Sequence, residues 1–137
     1  MEKDNLGLGV MINMLFGNEG TAKNYKAMIG KKISGIKLED NALIMFLYSG
    51  LTFKIYDDGQ SCCENRYMRT DDDLEEYVGA ELLQIEVADG GTTEGDGETH
   101  EIQFLRIHTS KGLFTLSNHN EHNGYYGGFS IKIEEIK

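Results

Sequence analysis

Short alternating apolar runs, broken at close intervals by Gly, Asn, Asp and Ser, mark this chain as a β protein. Ile33, Ile36 and Leu38 begin one strand, Leu43 to Tyr48 form a second, and Leu51 to Tyr56 form a third with in–out alternation. Glu39-Asp40-Asn41 supplies the first turn and Ser49-Gly50 the next. Further strands are predicted over Leu82–Val87, Ile102–Thr109, Leu113–Leu116 and Phe129–Ile136, with a turn at Lys111-Gly112. The chain has no proline and 17 glycines, so its turns must be built on Gly, Asn and Asp. About six to seven strands joined by short turns imply a mainly β fold: an antiparallel sandwich or partly open barrel with one or two short helices.

Two helices are predicted. Ala22 to Ile29 has short amphipathic spacing, and Asp73–Val78 follows a cap at Asp71 or Asp72 and ends at Gly79. Asp89 to Thr99 is rich in Gly, Thr and acids and reads as a long mobile loop. At 137 residues the chain makes a single domain, with an N-terminal segment over 1–30 and a β domain over 31–136. The crowded apolar residues Leu6 to Phe16 read as a core lid, with an oligomer contact as the alternative. Ala42 to Tyr48, the longest apolar stretch, is too short to span a bilayer, and the N-terminus does not read as a signal peptide. A cytoplasmic protein without a membrane partner is expected, its Cys62 and Cys63 reduced.

Charge is segregated. Between Asp71 and Glu101 stand 12 acidic residues and no Lys or Arg, within a net charge of -10. Such a surface repels nucleic-acid backbones, which excludes general DNA or RNA binding. All three arginines, Arg66, Arg69 and Arg106, fall in or near two unusual polar runs.

The longer run, His119-Asn120-Glu121-His122-Asn123-Gly124-Tyr125-Tyr126-Gly127-Gly128-Phe129, carries a density of donors, acceptors and aromatic faces that a connecting loop does not need. Its counterpart is Gly59-Gln60-Ser61-Cys62-Cys63-Glu64-Asn65-Arg66-Tyr67-Met68-Arg69. Together they suggest one recognition surface for a small anionic, nucleotide-like ligand. Arg66, Arg69 and Arg106 would hold charge. Tyr67, Tyr125 or Tyr126 would stack on a base, and Asn118, Asn120 and Asn123 would read polar edges beside His119 and His122. The plainer alternative is a long β connection tied down by its own Asn side chains, with the arginines paired to nearby acids.

Catalytic and metal readings are weaker. Cys62, Cys63, His119 and His122 have the composition of a zinc site, but adjacent cysteines diverge where zinc knuckles space theirs by two to four residues. A cysteine nucleophile with a histidine base lacks any framing catalytic signature. Asp57, Asp58 and Asp71–Asp73 lack the spacing of a calcium loop, and no phosphate-binding loop or dinucleotide fingerprint is present. No cofactor is expected.

Asp58 to Met68, followed by Thr70-Asp71-Asp72-Asp73-Leu74, resembles a domain of unknown function found in phages and prophages. Phe104-Leu105, Thr109, Gly112 and the stretch Asn118 to Phe129 resemble the second signature of the same family, over approximately residues 31–136. The resemblance implies a phage or mobile-element setting inside a bacterial host and no assigned activity. In that setting the leading expectation is a non-catalytic protein that sequesters a ligand such as a host immune signal, with a homodimer as a fitting assembly. The alternatives are an acidic inhibitor of a host protein, acting through Asp71–Glu101, and a zinc- or cysteine-dependent hydrolase.

Overall fold

The structure, a computed structural model, describes residues 19–57, 65–95, 97–122 and 131–136. A helix, α1 (Glu19–Met28), precedes three strands, β1 (Ile33–Glu39), β2 (Ala42–Leu47) and β3 (Thr52–Asp57). These are followed by β4 (Asn65–Arg69), a 3-10 turn (Leu74–Tyr77), β5 (Leu82–Gly95), β6 (Glu98–Thr109), β7 (Gly112–His122) and β8 (Ile131–Ile136). The strands form two four-stranded antiparallel sheets, ordered β1-β2-β3-β8 and β4-β7-β6-β5, and the sheets do not close into a barrel.

The core lies between the two sheets. Ile36, Leu43, Met45, Phe53, Ile55 and Ile133 of the first face Leu82, Ile85, Leu105, Ile107, Phe114 and Leu116 of the second. Burying such side chains contributes about 1.5–3 kcal/mol each, the main force holding sheet to sheet. β1 begins beside the second sheet's β5, where Ile33 N–H donates to Ala80 O at 2.8 Å. It ends beside β4, where the Asn41 side chain accepts from Met68 N–H. The strand therefore crosses the second sheet from one edge toward the other. Helix α1 ties the other side: Asn24 Nδ2 donates to Ile133 O at 2.8 Å, the Tyr25 hydroxyl accepts from Ile85 N–H, and Met28 is fully buried. No helix among the described residues is long and apolar enough to cross a membrane.

The turns follow their residues. Asp40 and Asn41 both adopt positive φ, as a two-residue hairpin requires, and Gly50 does so at the next turn. Four expectations are corrected. The Asp73–Val78 helix is only a 3-10 turn, capped by Asp73, whose carboxylate accepts from Glu75 N–H; Asp72 instead accepts from Thr115 N–H. The supposed loop over Asp89–Thr99 is the far half of a β5–β6 hairpin, paired as far as Gly95 and Glu98. A bulge between Asp89 and Gly91 lets this ladder continue, and Gly91 takes φ +97° there. Polar Asn65–Arg69 forms β4, and β7 runs on through Asn118 to His122. Eight strands therefore stand among the described residues where about six to seven were expected.

Candidate functional site

Asn65–Arg69 pairs with Ser117–Glu121, so the two polar runs are joined where β4 lies beside β7: Arg66 stands opposite Asn120, Tyr67 opposite His119, and Met68 opposite Asn118. A strand sends successive side chains to opposite faces, so this pairing divides the expected surface in two. Arg66, Asn118, Asn120 and His122 point between the sheets. Tyr67, Arg69 and His119 point outward.

The inner set continues the core. Along β7 the buried positions are Phe114, Leu116, Asn118, Asn120 and His122, so the interior changes from apolar to polar toward one end. Asn118 is 1% exposed, and neither its amide nitrogen nor its oxygen has a hydrogen-bond partner among the described residues. Asn120 beyond it is fully buried. His122 Nε2 lies 3.0 Å from Glu101 Oε1, with its side chain 4% exposed. Arg66 donates from Nη1 to both carboxylate oxygens of Asp57, each at 3.0 Å, in a nearly buried ion pair that links β4 to β3. Its charge is thus met inside the protein rather than offered alone to a ligand. The strand ends at Asp57, Asn65, His122 and Ile131 all border this polar end, because Asp57 pairs with Ile131 and Asn65 with Glu121.

The outer set is a cluster of rings. Tyr67 stacks on His119 with centroids 4.6 Å apart and planes 4° from parallel, and the Arg69 guanidinium lies 5.0 Å from the Tyr67 centroid. His119 Nδ1 faces His100 Nε2 at 2.9 Å, and its Nε2 faces Ser117 Oγ at 2.9 Å. The Tyr67 hydroxyl donates to Glu121 at 2.5 Å. Burial, with help from the neighbouring His100 and Arg69, holds the His119 pKa below its ordinary value. The Tyr67 hydrogen bond is the largest influence lowering that of Glu121. Burial, then Glu121, raises that of Tyr67.

Other predicted residues lie elsewhere. Arg106 stands opposite Glu86 and Thr115, four residues along β6 from the partner of His119, about 13 Å away at strand spacing. Asn123, Tyr125, Tyr126, Cys62 and Cys63 lie outside the described residues. Of the four zinc candidates, His119 and His122 are three positions apart in one strand and face opposite sides of the sheet, and Cys62 and Cys63 lie outside the described residues. Among the described residues no three His, Cys, Asp or Glu side chains stand as an assembled metal shell. Part of the acidic stretch serves the fold, through Asp72, Asp73, Glu101 and Glu86, the last 2.6 Å from His108 Nε2.

Sequence reasoning missed Asp57, Ser117, Glu121, His100 and Glu101 as site residues. His100 and Glu101 sit at the edge of the stretch read as a loop, and only the β6–β7 register brings them beside the motif. No curated protein and no solved structure matches this chain. The model of a domain of unknown function, DUF7448, matches residues 26–132, most of the chain, and the protein belongs to that family.

Proposed function

We propose that this protein is a non-catalytic binding protein whose small polar ligand is recognised at the polar end of the sandwich interior. The observation that carries the reading is Asn118, whose buried amide is unpartnered on both atoms among the described residues. A buried amide left unbonded costs about 1–3 kcal/mol, and a ligand that answered both atoms would offset that cost. One donor and one acceptor side by side match the edge of a nucleobase or another amide. The Arg66–Asp57 ion pair and the His122–Glu101 hydrogen bond border the same end, which favours recognition by shape and hydrogen bonding over bulk charge.

The resemblance of both motifs to a phage and prophage family supports a nucleotide-like signal of a bacterial host as the ligand's source. Native mass spectrometry of the protein as purified from cells tests the reading. Wild type is expected to carry a species of several hundred daltons that Asn118→Leu, folded by circular dichroism, does not. A bare chain for both, with no small molecule captured from a cell extract, would overturn it.

A further inference from the structure

The outer face of the first sheet carries an apolar stripe at the surface. Strand register sets the outward side chains across that face in rows. One row runs Gly35, Phe46, Thr52, Ile136, and the next runs Lys37, Ile44, Lys54, Glu134. A third runs Glu39, Ala42, Tyr56, Lys132. Phe46 and Ile136 are 37% and 41% exposed, and a cleft of about 350 Å³ opens over Ala42, Ile44 and Phe46, with Lys37 and Lys54 at its sides.

Charge and register together say what fits there. The chain carries a net charge of -10, yet this face balances Lys37, Lys54 and Lys132 against Glu39, Asp40 and Glu134. Two copies can meet here without the repulsion that their acidic stretches, in and before the second sheet, would impose. The rows are also self-complementary. A two-fold axis parallel to the strands, between β2 and β3, lays β1 over β8 of the second copy and β2 over its β3. Lys37 of one copy then faces Glu134 of the other, and Glu39 faces Lys132. The Phe46 ring leans over Gly35, where a Cβ would stand 3.2 Å from its Cδ2, and so lies under Ile136 of the second copy. Ile44 meets the aliphatic stem of Lys54, whose ammonium is drawn aside to 4.4 Å from the Tyr56 ring centroid.

We propose that two copies of this chain pair through the outer face of the first sheet, sheet on sheet, about this two-fold axis. The face measures roughly 20 Å each way at strand spacing, the size of a dissociable interface. It lies on the opposite side of the first sheet from the buried polar end, so the pairing does not depend on the ligand reading.

Sedimentation equilibrium of the full-length protein from micromolar to near-millimolar concentration tests this. Wild type is expected to pass from monomer to dimer, and Asn118→Leu to do the same. Phe46→Glu, Lys37→Glu and Glu134→Lys are each expected to raise the dissociation constant by roughly tenfold or more, because the two-fold axis repeats every mismatch. All three positions are exposed, so these changes leave the core intact, which circular dichroism checks. Mixing the Lys37→Glu chain with the Glu134→Lys chain is expected to restore pairing, since one contact is then native and the other has its signs exchanged. Within one chain the two residues stand three strands apart, about 14 Å, so the rescue must come from across the interface. A monomer at every concentration, a dimer that survives all three changes, or a mixture that pairs no better than its components would each overturn the proposal.

Discussion

Asn118 and His119 are neighbours in sequence, yet the fold uses them on opposite sides of one sheet. His119 titrates in a way that follows from its surroundings. Its pKa is lowered in the folded protein, so between that value and the unfolded value near 6.5 the unfolded chain binds more protons. Stability is therefore expected to fall as pH drops below about 6.5, and to fall further below about 4.3, where the depressed Glu121 begins to matter. Thermal melts across this range check the sign, and His119→Gln should flatten the upper part of the slope. A melting temperature that rises on acidification through this window would contradict the assignment.

The β5–β6 hairpin depends on two adjacent glycines for different reasons. A side chain at Gly90 would meet Ile102 Cγ2 and Phe104 Cε2 at 2.8 Å, while Gly91 has open space but a left-handed backbone at φ +97°. Gly90→Val is expected to destabilise by about 1–3 kcal/mol through overpacking. Gly91→Ala is expected to cost about 1 kcal/mol through backbone strain alone. Denaturant unfolding distinguishes the two. An unchanged midpoint for Gly90→Val would mean that the ladder does not extend past the bulge.

This element also shows what the sequence could and could not convey. Strands with one apolar face, such as β2, β3 and β8, were legible because their inward residues alternate as Leu, Ile, Met or Phe. β4 and the end of β7 were not, because their inner faces carry Arg66, Asn118, Asn120 and His122, and hydrophobic periodicity cannot register a polar interior. The hairpin was hidden by glycines that serve a bulge and a close contact rather than a loop. The motif residues drew notice by composition, but their partners Asp57, His100 and Glu101 are fixed by register, which no local pattern encodes.

At the scale of the molecule, the two sheets are held together by the core, by α1 along one side, and by the Arg66–Asp57 pair at the polar end. With side chains only 8% and 10% exposed, removing one partner takes two 3.0 Å hydrogen bonds from a nearly buried charge. Asp57→Asn or Arg66→Met is expected to cost about 3–5 kcal/mol, whereas Asp57→Leu combined with Arg66→Met should recover most of that loss. A double-mutant cycle by denaturant unfolding measures it, and additive losses would show that the two side chains do not act as a unit.

Where the sandwich interior turns polar, Asn118 buries an amide that no described residue answers. Equilibrium unfolding of ligand-free wild type and Asn118→Leu tests it most directly. If Asn118 has no partner within the protein, the apolar replacement of similar shape stabilises the ligand-free chain by about 1–3 kcal/mol. A loss of stability of that size would show that the chain bonds the amide itself, and would contradict a binding role for this end of the fold.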